Sequence, residues 1–177
     1  MVLVLCLCTS LLSGQDKFKT KPGMIFLGGG ASIGFSQEFN ASNENVLGIE
    51  LRPLFGQFLT RDTLLFTHLG FAMKAGFTHQ SFTGSLSIGA QGRYFFSTEE
   101  TINIFLGLDI QFGLDLGAAY GKLNEHVLTG IVGGVFIPFN EKIGLDLSLT
   151  PLVYLPLNTY EPARMVIFTS VGILSTL

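Results

Sequence analysis

The chain has 177 residues, of which 47% are apolar and 13% charged, and its formal net charge is −3. The charged share is about half of that in a typical soluble domain, and the acidic balance gives a nucleic-acid partner no electrostatic support. No uninterrupted apolar run approaches the ~18 residues of a transmembrane helix. The apolar content therefore indicates strands that alternate in polarity.

The chain begins with a stretch that is typical of a secretory signal. Residues 2–12 form an apolar core interrupted only by Thr9 and Ser10, two small residues follow, and polar sequence begins at Gln15. This pattern predicts a signal peptide over residues 1–14, a short periplasmic tail over 15–22 and a single domain over 23–177. Both cysteines fall within the signal, so the mature domain has no thiol for disulfides, catalysis or zinc.

Eight segments of the domain alternate between apolar and polar residues with a period of two, which indicates β-strands with one face in an apolar medium. In the clearest segment, 101–117, the even positions are all apolar and the odd positions are mostly polar or glycine. Its length suits a tilted strand that crosses a bilayer, which needs about 9–11 residues in the apolar zone. The predicted strands are 23–36, 45–58, 63–76, 81–96, 101–116, 126–139, 142–155 and 164–177.

The connections between these strands alternate in length. Short polar turns at 60–62, 97–100 and 140–142 alternate with connections that are longer or more polar. This alternation is typical of an outer-membrane barrel, and an even strand count places both termini on the periplasmic side. The predicted fold is therefore an all-β, eight-stranded antiparallel up-and-down transmembrane β-barrel in the cell outer membrane. Within it, Pro53 and Pro151 predict a bulge or a gap in the ladder, because proline has no amide hydrogen.

Alternation alone does not decide which face points outward, because a soluble lipocalin-like barrel keeps its apolar residues inside. Two observations favour the inverted, membrane arrangement. The polar face is dominated by small residues that suit a narrow eight-stranded lumen, and it lacks the many Lys and Glu of a water-facing surface. The other face carries more large Leu, Ile and Phe than such a lumen could hold.

Charged residues within the strands share the polar face. A basic side chain on the lipid face near mid-bilayer would cost about 2–4 kcal/mol, so these charges are expected inside the barrel. Buried charges need partners, and their nearly balanced signs predict a hydrogen-bonded plug that closes the lumen, with an ion path as the alternative. The predicted lumen network consists of Glu50, Arg52, His68, Lys74, Gln91, Arg93, Asp109, Gln111, Asp115 and Asp146.

Five aromatic residues lie near strand ends. Aromatic side chains at these levels form the interfacial girdles of membrane barrels, so we expect some of the five at the bilayer interface and the others in packing. They are Phe58, Tyr94, Phe96, Phe139 and Tyr154.

The segment 92–96, Gly-Arg-Tyr-Phe-Phe, follows a Ser/Gly-rich strand and precedes a turn and a Gly-Leu-rich strand. Together with Gln15 just after the predicted cleavage site, it resembles the OmpX/PorT-like outer-membrane β-barrel domain family common in Bacteroidota. The resemblance covers about the whole mature chain and implies an eight-stranded outer-membrane barrel, usually without assigned catalysis. Gly172 and the apolar terminal Leu177 match the final-strand pattern of such proteins, whereas Ser175 stands where that pattern has an aromatic residue.

Three histidines are the first candidates for chemistry. His68 has the lumen phase of its strand, where a hydrogen-bonded interior histidine is the expected role. His79 and His126 lie near the predicted outer rim, close to Ser81 and Asp115, and some small outer-membrane barrels are lipid A deacylases or acyltransferases with a Ser/His pair at that rim. Nucleophilic catalysis needs a hydroxyl, a base and an orienting group in contact, and no motif around these residues supports it.

We therefore expect a small outer-membrane barrel with a structural or interaction role in the cell envelope and no catalytic activity. Membrane lipids and other envelope proteins are the expected partners, the expected state is a monomer, and no cofactor or metal is expected because no metal-ligand spacing stands out. The alternatives are an outer-membrane lipid-modifying enzyme and a soluble lipocalin-like carrier of an apolar ligand.

Overall fold

The computed structural model describes residues 20–38, 45–76, 82–96, 101–116, 124–157 and 163–177. The predicted signal peptide lies outside these residues, as do residues 15–19 of the predicted tail. In the part of the chain that the structure describes, no helix is long and apolar enough to cross a membrane. The strands are β1 (Ile25–Glu38), β2 (Asn45–Phe58), β3 (Thr63–Gly76), β4 (Phe82–Phe95), β5 (Asn103–Leu116), β6 (Asn124–Pro138), β7 (Ile143–Pro156) and β8 (Arg164–Thr176).

The eight strands form a closed antiparallel barrel in sequence order. Each strand pairs with its neighbours along the chain, and β1 pairs with β8 to complete the closure. Closure leaves no edge strand with unpaired backbone groups, which is the condition for a β-structure to cross a bilayer. The predicted fold class is confirmed, and the predicted strand ends differ from the observed ones by no more than two residues.

Both prolines interrupt the ladder without shifting its register. Pro53 pairs with β1, but on the β3 side the pairing stops at Leu51 and resumes at Leu54 with the same offset. Pro151 likewise pairs with β8, while the pairing of β7 with β6 breaks between Leu149 and Leu152. Each proline therefore produces a gap and not a bulge. Its missing amide hydrogen removes a hydrogen bond of the ladder, but no extra residue is inserted and the register is kept.

The outer face of the barrel is an apolar belt and the inner face is largely polar. Leu108, which points outward, is 71% exposed, whereas the next residue, Asp109, points inward and is 1% exposed. Large apolar side chains are exposed on the outer face of all eight strands, whereas the inward positions include both polar and buried apolar residues. An apolar surface this extensive is typical of a barrel surrounded by hydrocarbon, and it is the opposite of the arrangement expected for a lipocalin-like carrier.

Apolar side chains close the turn-side end of the lumen. Rings pack with centroids 5.1 Å apart between Phe26 and Phe58 and 5.5 Å apart between Phe95 and Phe105. Thr20, just before β1, lies against them, and its hydroxyl donates to the carbonyl of Arg61 at 2.6 Å. We call this cluster the aromatic floor; it consists of Phe26, Phe58, Leu64, Phe66, Phe95, Phe105, Val132, Phe136 and Leu174.

The aromatic residues near strand ends divide between the two faces. Tyr94, Phe96 and Phe139 are exposed on the outside, as an interfacial girdle requires. Phe58 and Tyr154 are only 1% and 2% exposed and lie inside the lumen, so these two are packing residues. Both have the inward phase of their strands, and this phase decides their position.

Candidate functional site

The candidate site is the lumen, and the ten predicted lumen residues all face it. Nine are buried, and Lys74 is partly exposed, with 24% of its side chain accessible. The structure separates them into two groups at different depths, with Gln111 between. Neither polar atom of the Gln111 amide has a partner among the described residues. The central network consists of Glu50, Arg52, His68, Gln91, Arg93, Asp109 and Asp146.

One half of the central network is built around Arg52 and Asp109. Arg52 Nη2 donates to Glu50 Oε2 at 2.8 Å, and Arg52 Nη1 donates to Asp109 Oδ2 at 3.4 Å. Asp109 also accepts a hydrogen bond from Gln91 Nε2 at 2.6 Å and lies 3.3 Å from His68 Nε2. These contacts join side chains from β2, β3, β4 and β5, so each buried charge has a partner, as a low-dielectric interior requires.

The other half is built around Arg93. Its Nη1 donates to the Asp146 carboxylate, and its Nε donates to Gln91 Oε1 at 2.6 Å. Gln91 thereby joins the two halves of the network. The guanidinium carbon of Arg93 also lies 4.6 Å from the ring centroid of Phe66 and 4.1 Å from that of Phe105. Arg93 thus links the central network to the aromatic floor through charge and cation–π contacts.

A second polar group, the loop-side cluster, consists of Lys74, Ser85, Asp115, His126, Tyr154 and Arg164. Its centre is Asp115, which accepts from Lys74 Nζ at 2.6 Å and from the Tyr154 hydroxyl at 3.4 Å, and which is also bonded by Ser85. His126 stacks on Tyr154 with ring centroids 4.6 Å apart. The guanidinium carbon of Arg164 lies over the ring of Tyr154, 4.2 Å from its centroid. The cluster takes one residue from each of β3 to β8.

The loop-side cluster has the residue types of a catalytic triad but not its order. His126 Nδ1 lies 3.5 Å from Asp115 Oδ2, and Ser85 bonds the same carboxylate. A serine nucleophile needs its hydroxyl against the histidine and the carboxylate behind that histidine. Here the Asp115 carboxylate lies between Ser85 and His126. His79 and Ser81, the other predicted rim candidates, lie outside the described residues.

No metal centre is formed within the described ranges, where no group of three or more His, Cys, Asp or Glu side chains converges. Ser85 and Arg164 were not among the predicted site residues, and Tyr154 was predicted only as an aromatic residue near a strand end. The aromatic floor was not predicted either, because the inward face was expected to be polar throughout. The parity of these positions within their strands was the available signal, because inward residues alternate strictly along each strand.

The close packing of the His126 ring against Gly113 gives a testable prediction. A Cβ atom at Gly113 would overlap the His126 ring, whereas a Cβ atom at Gly92 would meet nothing within 4 Å. We expect Gly113→Ala to lower the free energy of unfolding by about 1–3 kcal/mol. Gly92→Ala should leave it unchanged or raise it by up to about 1 kcal/mol. Urea unfolding in detergent measures both, and equal effects would contradict the placement of His126.

No protein-family model and no curated protein matches this sequence. Solved structures do match. Neisserial surface protein A has a TM-score of 0.70 at 17% identity, with 86% of this chain and 97% of that chain covered. OprG from Pseudomonas aeruginosa has a TM-score of 0.59 at 12% identity, with coverage of 92% and 99%. The outer membrane enzyme PagL has a TM-score of 0.50 at 14% identity, with coverage of 84% and 99%.

The chain has the fold of a small outer-membrane β-barrel. This fold and the apolar belt agree with the predicted location in the outer membrane. Identities this low relate the folds alone, so the activity of PagL does not transfer to this barrel. The finer resemblance to the OmpX/PorT-like domains of Bacteroidota stays a prediction.

Proposed function

We propose that this outer-membrane barrel is non-conducting and has a structural or interaction role in the cell envelope. The observation that supports this role is the filling of its lumen at two levels. At the turn side, the aromatic floor packs apolar rings across the lumen, and Phe58 and Phe105 are each 1% exposed. Above the floor, the central network joins facing walls through ion pairs.

Passage of an ion would require both levels to open. The pair between Arg93 and Asp146 connects β4 to β7, and the pair between Arg52 and Asp109 connects β2 to β5. Separating such pairs leaves uncompensated charges in a low-dielectric interior, at a cost of several kcal/mol. The nine side chains of the aromatic floor are apolar and cannot replace the hydration shell of a passing ion. Both levels therefore support a barrel that is closed to ions.

Conductance measurements test this proposal. We expect the purified protein in planar lipid bilayers to give no unitary conductance steps, while a large porin in the same membranes conducts. A gel shift between unboiled and boiled samples, taken from the same preparation, verifies that the barrel is folded. Reproducible conductance steps from the folded protein would contradict the closed lumen and favour the ion path.

We further propose that the barrel has no catalytic activity. The support is the order of Ser85, Asp115 and His126 in the loop-side cluster, together with the complete burial of His126. We expect the mass spectrum of lipid A to be the same with and without expression of the protein. A change in acylation that disappears in His126→Ala while the gel shift persists would instead establish a lipid-modifying enzyme.

We propose a monomer in contact with membrane lipids, with other envelope proteins as candidate partners. The apolar belt on all eight strands supports lipid contact, and the net charge of −3 gives no support to a nucleic-acid partner. Light scattering in detergent, corrected for bound detergent, should give the mass of one chain. A mass of two or more chains would contradict the monomer.

A further inference from the structure

A cavity lies beside the central network, on the side of the lumen formed by β1, β7 and β8. The strand register explains its position. Arg52, Gly30, Gly172 and Asp146 are successive partners across β2, β1, β8 and β7. Two glycines without side chains therefore separate a guanidinium from a carboxylate, and the space between these charged groups is the cavity.

Three serines border this space one step closer to the loop side. Ser32 of β1 pairs with Ser170 of β8, and Ser170 pairs with Ser148 of β7, so the three form a row across neighbouring strands. All three line the cavity. Each hydroxyl supplies one donor and two acceptor sites, so this wall of the cavity is polar.

The hydrogen bonds of the central network, extended by Ser32, form a chain of side chains. The two ends of this chain lie on either side of β8. At one end, the Ser32 hydroxyl on β1 donates to Glu50 Oε2 at 3.3 Å; at the other end, Arg93 donates to Asp146 on β7. The cavity lies between these ends. Arg52 also lines the cavity, and its Nε is buried and has no partner among the described residues. In order, the chain runs through Ser32, Glu50, Arg52, Asp109, Gln91, Arg93 and Asp146.

We propose that this cavity binds one or two ordered water molecules, which join Asp146 to the serine row and to Arg52 Nε. The volume open to the centre of a water molecule is about 20 Å³, and about 10–15 Å³ suffices for one water. An internal water makes about three hydrogen bonds to buried polar groups, and the lining supplies at least that number. The water closes the hydrogen-bonded chain into a ring around the lumen.

Charge favours water over a small anion in this cavity. The central network contains the carboxylates of Glu50, Asp109 and Asp146, the guanidiniums of Arg52 and Arg93 and the imidazole of His68, so it has no excess of positive charge. An anion would therefore lack a cationic partner of its own, whereas water donates to Asp146 and accepts from Arg52 Nε without changing the charge. The inference adds to the proposed closed lumen and does not depend on it, because the aromatic floor closes the barrel in either case.

Nuclear magnetic resonance of the full barrel in lipid nanodiscs, labelled with ¹⁵N-arginine, tests this inference. We expect a cross-peak between water and the Arg52 Nε–H of the wild-type protein. In Ser170→Val, whose larger side chain occupies the cavity, this cross-peak should be lost. The matched control is Thr169→Val, a neighbouring substitution on the exposed outer face, which should retain it.

Three results would overturn the water site. One is the absence of the cross-peak from the wild-type spectrum when the Arg52 Nε–H signal itself is resolved. Another is a full-intensity cross-peak in folded Ser170→Val. The last is a saturable shift of the Arg52 Nε–H signal on titration with chloride, which would identify a small anion instead. The wild-type spectra decide the first and the last, so a variant that fails to fold leaves the test intact.

Discussion

Replacement of Arg93 by alanine should lower the free energy of unfolding by about 3–5 kcal/mol, because it leaves a buried carboxylate without its partner. Arg93 donates to Asp146 and to Gln91, and its guanidinium contacts the rings of Phe66 and Phe105. The substitution therefore removes an ion pair, a hydrogen bond and two cation–π contacts from the centre of the lumen. Urea unfolding of the barrel from lipid vesicles measures the change.

Two comparisons make the Arg93 result specific. Lys142→Ala removes an exposed charge at the turn-side end and should change stability by no more than about 0.5 kcal/mol. In the double variant Arg93→Met with Asp146→Asn, the loss should be smaller than the sum of the two single losses, because neither charge is left alone. Two outcomes would show that the pair of Arg93 and Asp146 does not stabilise the barrel. One is equal stability of Arg93→Ala and Lys142→Ala, and the other is a loss of stability in the double variant equal to the sum of the two single losses.

An arginine introduced in the middle of the apolar belt should lower the free energy of unfolding nearly as much as Arg93→Ala. Leu108 lies near the centre of β5 and is 71% exposed. Leu108→Arg should destabilise the barrel in lipid vesicles by about 2–4 kcal/mol, the cost of a basic side chain at the midplane. Ile102 lies just before β5 at the turn-side end and is 47% exposed, so Ile102→Arg should cost only about 0–1 kcal/mol. Folding titrations in urea with the same vesicles measure both.

This pair of variants separates lipid from water as the surroundings of the outer face. On a water-exposed surface, both arginines would be tolerated, and Leu108, the more exposed of the two positions, would be no more sensitive than Ile102. Equal small effects at both positions would therefore contradict a bilayer-spanning belt. A large effect at Leu108 alone would show that the cost depends on depth in the membrane.

The period of two along the chain was sufficient to predict eight strands, their bounds to within two residues, and the inward side of the ten residues assigned to the lumen. This information is local, because successive side chains in a strand point to opposite faces whatever the strand pairs with. The gaps at Pro53 and Pro151 were equally local, since each depends on one missing amide hydrogen. Composition then decided the orientation, because the large apolar residues exceed what an eight-stranded lumen holds.

Depth within the lumen was decided only by the tertiary structure. Phe58, Tyr154 and Asp146 all have the inward phase, yet the first joins the aromatic floor, the second the loop-side cluster and the third the central network. Their levels depend on the register between neighbouring strands and on the tilt of all eight, which no single segment encodes. The same non-local register places Gly30 beside Gly172 and thereby forms the cavity between Arg52 and Asp146. The sequence by itself determined which residues are inside; the closed barrel decided which of them meet.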